Sequence, residues 1–270
     1  MIPARWALYV SALGVIGAFG ATLLRVPAPA RVIAVARRLA LWLLASSAFI
    51  LVAEVNAWFG ADGFRSIDPA WRLVALNVWG RHWRWLASTS LAVALALPLA
   101  ARFPSSWIVL SGMAALGVAA VVPLVGHGGS HDAWLLGAHA AHLFGGGLWI
   151  GTLWVALWSG RHDLDALLVR LRSFAPIALT GASLVAASGA VIAWEHLQPL
   201  STLWTTVYGQ VLLGKVAAVM LMGGIGFLNW RGAGLKTVVV EALVAAVVVV
   251  ALAACLSETE PPPQWGHHHH

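Results

Sequence analysis

AWLLGAHAAHLFGGGLWIGTLWVALW, residues 133–158, runs for 26 residues without one charged side chain. A helix needs roughly 20 apolar residues to cross a hydrocarbon core about 30 Å thick, so this stretch is long enough to span a membrane. It also carries two imidazoles, His139 and His142, which a purely lipid-filling segment has no use for. Similar runs lie on both sides of it, at about 6–25, 38–59, 83–101 and 106–126 before it and 174–194, 207–229 and 237–256 after it. The expected fold is therefore all-α: a polytopic transmembrane helical bundle with about eight spans.

Composition agrees. Sixty per cent of the residues are apolar and ten per cent charged, with a mean hydropathy of +0.84. A soluble domain carries about a quarter charged residues, and so sparse a supply could not coat a water-exposed globule of this length. The formal charge of +6 is spread too thinly to track phosphates and suits anchoring to anionic headgroups. One cysteine, Cys255, excludes a disulfide framework and any paired-cysteine metal motif within the chain. Gly266 to His270 looks like the remnant of a purification tag, which leaves 1–260 as one membrane domain and 261–270 as a tail. The first run reads as a retained helix rather than a cleaved signal.

The breaks between runs are short, except 60–82, where Asp62, Arg65, Asp68 and Arg72 accompany Trp71 and Trp79 in a pattern that suits a helix lying in the interface. Tryptophans such as Trp6, Trp58, Trp83, Trp107, Trp194 and Trp204 sit near the expected ends of spans, where indole rings prefer the headgroup level. Gly14, Gly17, Gly20 and Gly145–Gly147 let helices approach closely. Loops after odd-numbered spans carry Arg25, Arg31, Arg37, Arg38, Arg102, Arg161, Arg170, Arg172, Arg231 and Lys236, ten cations. The other side carries five: Arg5, Arg65, Arg72, Arg81 and Arg84. The richer side is expected to face the cytoplasm, which puts both termini on the outer, periplasmic side of a bacterial-type inner membrane.

With that topology six histidines belong to the outer half: His82, His127, His131, His139, His142 and His196. Only His162 falls inside. On a helix, offsets of 8 and 11 from His131 share one stripe, with about 12 Å of rise from His131 to His139 and about 4.5 Å from His139 to His142. One ion can therefore meet His139 and His142 together but not His131 and His142. The expected layout is an outer site at His127 and His131 and a deeper one at His139 and His142. Imidazole can also simply hydrogen-bond across helices, but polar groups at such depth usually face a cavity or a partner. Glu195-His196 reads either as further ligands or as a solvated helix end, and His82 as an interfacial residue. Lys215, about 12 Å down its span, needs a partner, for which Glu54 and Glu195 are the candidates. Glu241 is expected to pair with Lys236 at the inner interface.

Imidazole suits copper, zinc, iron and nickel, with first-row affinity peaking at copper. A relay of thioethers has little to build on, since Met113, Met220 and Met222 are the only internal methionines. Haem remains an alternative, but His139 and His142 are too close on one helix to ligate opposite faces of one ring. The second axial ligand would have to be His127, His196 or His82.

Several stretches of the second half resemble the copper resistance protein D family (CopD/PcoD type). His142-Leu143, followed by Trp149, Gly151 and Leu153, is similar to that family's histidine helix, and Gly126-His127 to the pair before it. Thr206, Tyr208-Gly209, Leu212-Leu213 and Lys215 resemble a second motif, and Asn229-Trp230-Arg231, Glu241 and Pro261-Pro262 complete the likeness over about 126–262. The resemblance implies an inner-membrane protein that takes copper from the periplasm, commonly moves it inward, and acts beside a small periplasmic copper-binding protein of the CopC type. It also gives weight to Lys215, Tyr208 and Asn229. No hydrolytic triad, phosphate-binding loop or nucleotide motif is visible, so enzymatic activity is not expected.

Overall fold

The computed structural model describes residues 1–26, 29–100, 102–103, 106–126, 132–197, 199–232 and 234–259, except for the side chains of residues 98 and 100. Helix makes up 88% of the described residues, and no strand occurs among them. Seven helical stretches are long and apolar enough to cross a membrane: Ile2–Leu23, Pro29–Phe64, Trp107–Val125, Ala133–Gly160, Ala175–His196, Val207–Trp230 and Leu235–Leu256. The protein is thus an all-α, multi-pass helical bundle.

In chain order, α1 (Ile2–Leu23) and α2 (Pro29–Phe59) form the first hairpin, and α3 (Asp68–Leu76) and α4 (Val78–Ala100) follow. Then come α5 (Trp107–Val121), α6 (Ala133–Gly146) and α7 (Thr152–Gly160), the last two joined without a break by a π-helical turn at Gly147–Gly151. Next are α8 (Leu164–Leu171), α9 (Ala175–His196), α10 (Thr202–Thr205) and α11 (Val207–Trp230). The chain closes with α12 (Leu235–Val244) and α13 (Val250–Leu256), joined by a second π-turn at Ala245–Val249.

One arginine settles how many times the chain crosses. Arg5, in the first turn of α1, donates from Nε to Glu258 just past α13 at 3.0 Å and from Nη1 to the Val125 carbonyl at 2.6 Å. Its Nη2 lies 3.6 Å from Glu54, near the end of α2. The start of α1, the end of α2, the turn after α5 and the end of α13 therefore share one face, here called the terminal face. A chain that begins and ends on one face crosses an even number of times, so the seven stretches require an eighth. The 23 residues of α4 span about 35 Å and supply it. Arg81, His82 and Arg84 occupy its first turns at the terminal face, and Arg84 donates to the Val74 carbonyl of α3. Arg5 itself is only 5% exposed, so it is a buried clamp rather than the loop cation the sequence suggested.

Helix α2 starts nine residues before the expected span. Val32, Val35, Ala36 and Leu39 are buried while Arg31, Arg37 and Arg38 are exposed. A helical stripe thus continues past the point where charge ends the apolar run. The expected interfacial helix in 60–82 is α3, with its i,i+4 pair Asp68–Arg72 at 2.7 Å and Ile67 and Leu76 exposed for lipid contact. A second amphipathic helix, α8, falls where the sequence suggested only a loop. The Asp163 side chain caps it by accepting from Ala166 N at 3.1 Å, and Leu167 is buried against Gly160.

Helix α1 is the axis of the bundle, packed by α2, α5, α7, α13 and the first π-turn. The approach is close because a Cβ at Gly17 would overlap the Gly151 carbonyl, and one at Gly147 the Ile16 side chain. Indole N–H groups bind the helices further. Trp83 donates to Ser47 O, Trp107 to Thr22 Oγ1, Trp154 to Ala242 O and Trp6 to Ala246 O, at 2.8–3.1 Å. The last two carbonyls flank or fall within the second π-turn, where Val250 N reaches back five residues to Ala245 O.

Candidate functional site

Helices α1, α6, α9, α11 and α13 surround a cavity of about 210 Å³. Its walls are mostly aliphatic and aromatic, and its polar groups are few: His139, His142, His196, Tyr208 and Lys215, with Tyr9 and Ser257. Both π-turns contribute to the wall through Trp149, Ile150 and Val249. Turns of this kind recur at functional sites because they re-aim a strip of side chains at the cost of one ladder register.

Local sequence explains each placement. In α11, Tyr208, Leu212, Lys215, Val219 and Met222 recur at helical spacing and form one cavity-lining stripe. Thr206 begins that helix, its Oγ1 accepting from Gly209 N at 3.1 Å. Gly209 lacks a Cβ where one would overlap the Leu203 backbone, so the α10–α11 corner closes tightly and brings the Tyr208 ring parallel to His196. Their centroids are 6.1 Å apart at an interplanar angle of 14°. His196 ends α9 and is 3% exposed. Its Nδ1 lies 2.8 Å from the Ile192 carbonyl one turn back, so it donates and leaves Nε2 as the nitrogen with a lone pair. Across the cavity the His139 ring of α6 meets His196 edge-on, centroids 6.2 Å apart.

His142 has a different environment from the one its spacing suggests. Its Nδ1 is 3.2 Å from Ser188 Oγ, and the Ser188 hydroxyl already donates to the Leu184 carbonyl. The imidazole must therefore be the donor at Nδ1, which leaves Nε2 to accept from Lys215 Nζ at 3.5 Å. Gly189 makes the room, since a Cβ there would stand 3.2 Å from His142 Cε1. Both nitrogens of His142 are thus committed, and the expected pairing of His139 with His142 on one ion gives way to His139 facing His196. The i,i+3 rule places two side chains on one helix face but is silent about which neighbouring helix each will meet.

Two expected ion pairs are corrected. Glu54 is not the counter-ion of Lys215; it is held by Arg5. No carboxylate lies within 4 Å of Lys215 among the described residues. Glu241 does not pair with Lys236; it is 4% exposed and accepts from Asn229 Nδ2 at 2.7 Å. Glu195 stands beside His196 in sequence but is not part of the cavity wall. His127 and His131 lie outside the described residues; Gly126, just before them, is in the wall, and Asp132, just after them, is the N-cap of α6. Among the described residues no group of three or more His, Cys, Asp or Glu side chains is placed to hold a metal ion. Of the sulfur groups, Met222 is buried in the cavity wall while Met220 is 72% exposed toward lipid.

Ser188 and Gly189 escaped the sequence reading. Gly181, Val185, Ser188, Ile192 and His196 recur at helical spacing along α9, which is the signal that would have marked its face toward α6. Searches against family models, curated proteins and solved structures found no match for this chain.

Proposed function

We propose that this is a copper-handling membrane protein, which admits copper at the terminal face into the cavity between α6, α9 and α11 and passes it inward. One observation carries the reading: imidazoles from two facing helices, His139 and His196, meet across a mostly apolar cavity at 6.2 Å between ring centres. An ion held about 2 Å from one nitrogen of each ring would keep the centres about 6 Å apart when the nitrogens oppose each other. Imidazole nitrogens suit copper, toward which first-row affinity peaks. The likeness of 126–262 to the copper resistance protein D family supports the same reading.

His127 and His131, which follow Gly126 in sequence, are the proposed first receivers. Ten loop cations on the far face against four on the terminal face, once buried Arg5 is set aside (five less one), favour a cytoplasmic far face and a periplasmic mouth. A periplasmic copper-binding protein of the CopC type is the proposed donor. Met222, buried in the cavity wall, is the only thioether facing the inward route among the described residues.

Copper content of the purified protein, loaded under reducing conditions with the tag removed, tests the site. His139→Ala with His196→Ala is expected to abolish cavity copper, while His142→Ala keeps the stoichiometry. Unchanged copper in the double variant, or a Soret band on the protein as isolated, would sink the proposal, the latter in favour of haem. Uptake of copper into proteoliposomes separates transport from binding alone.

A further inference from the structure

A second polar site lies in the far half of the bundle, away from the cavity histidines. Glu241 is on α12, six residues in from its start, about 9 Å from the far end, and is almost fully buried. Asn229, in the last turn of α11, donates Nδ2 to its Oε2 at 2.7 Å. Gly226 allows the approach, since a Cβ there would stand 3.1 Å from Oε1. The Trp149 indole, a wall of the cavity, lies against the same carboxyl. Among the described residues no Lys, Arg or His nitrogen comes within 4 Å of Glu241, and the elements packed on α12 bring no other titratable group to it. The Asn229 Oδ1 atom is buried and has no hydrogen-bond partner.

These facts fit together if one hydrogen is added. A buried carboxylate with no cation beside it is costly, and so is a buried carbonyl acceptor with no donor. A proton on Glu241 meets both costs: it neutralises the acid and provides an O–H that Asn229 Oδ1 can accept, while Nδ2 continues to donate to the other oxygen. Acid and amide then form a closed pair. When the proton leaves, the Nδ2 bond remains and the amide oxygen is orphaned again.

We infer that Glu241 and Asn229 form a proton-exchange site in the far half of the membrane domain, separated from the cavity by Trp149. Proton uptake converts carboxylate and hydronium to carboxylic acid and water, with no other reactant. The site is defined without reference to copper, so it stands or falls apart from the cavity reading.

Dicyclohexylcarbodiimide tests it, because this apolar reagent adds only to a protonated carboxyl. Peptide mass spectrometry of the full-length protein in lipid is expected to find the adduct on Glu241 and not on the exposed Asp163 and Asp165. Labelling should fall about tenfold per pH unit above its midpoint. Glu241→Gln confirms the labelled position, and the wild-type peptide map does so alone if that variant fails to assemble. Absence of the adduct from mildly acidic to mildly basic pH overturns the inference, as does labelling that ignores pH. Loss of labelling on adding sodium or potassium at fixed pH would assign the carboxylate to a metal cation and overturn it too.

Discussion

At the scale of single residues, the histidines show how little a side chain's identity says about its task. His139 and His142 stand three residues apart on one helix, yet one faces His196 across a cavity and the other is held between Ser188 and Lys215. The difference comes from α9 and α11, which offer a hydroxyl and an ammonium to one ring and an imidazole to the other. Glycines are equally exacting. Gly17 meets the Gly151 carbonyl where any Cβ would overlap backbone, and backbone has nowhere to retreat inside a packed bundle. Gly17→Val is expected to destabilise the protein by about 3 kcal/mol, the upper end of overpacking costs. A fall in the midpoint of thermal unfolding in detergent would register it, whereas a substitution at Gly223, with open space around it, should leave that midpoint in place.

At the scale of elements, the two π-turns turn ordinary spans into cavity walls. Each widens the helix by one residue, and each presents its residues to the same space: Trp149 and Ile150 from one, Val249 from the other. The three glycines at 145–147 hint at the first, but nothing in the run of alanines and valines at 245–249 sets it apart from regular helix. Deleting Val247 should remove the extra residue and convert the second turn to α-helix while leaving α12 and α13 in register, so the wall at Val249 is re-aimed and Glu258 keeps Arg5. The expected outcome is weakened copper binding with the unfolding midpoint nearly unchanged; full retention of copper binding would mean that the turn is incidental. Helices α3 and α8 illustrate the opposite case, short amphipathic pieces too weakly apolar to cross and anchored by single buried leucines, Leu73 and Leu167.

At the scale of the whole molecule, Arg5 ties together the beginning and end of the chain and two of its helical corners. Removing one member of so buried a cluster leaves uncompensated charge, which makes the parity of the crossings hard to change. In a Cys255→Ser background, Asp62→Cys and Thr259→Cys should react with an impermeant thiol reagent from the same side of the membrane. Asp165→Cys should react only from the other. Labelling of positions 165 and 259 from one side would contradict eight crossings. The same geometry gives the bundle two polar stations at different depths, the histidine cavity toward the terminal face and Glu241 toward the far face. They are about 21 Å apart along α11, measured by rise from Lys215, which meets His142, to Asn229.

Apolar length and charge density determined by themselves that this chain folds as a bundle of membrane-crossing helices, and roughly where each begins, because lipid forces every backbone polar group to be satisfied within its own helix. Helices α2 and α4 begin nine and five residues before their apolar runs, because their helical stripes outrun hydropathy. Which imidazoles face each other, what Lys215 and Glu54 pair with, and where Glu241 finds its donors were decided by the tertiary structure alone. Those outcomes depend on the rotation and approach of neighbouring helices, set by contacts such as Gly17 on Gly151 and Gly145 on Gly181, between residues far apart in the chain.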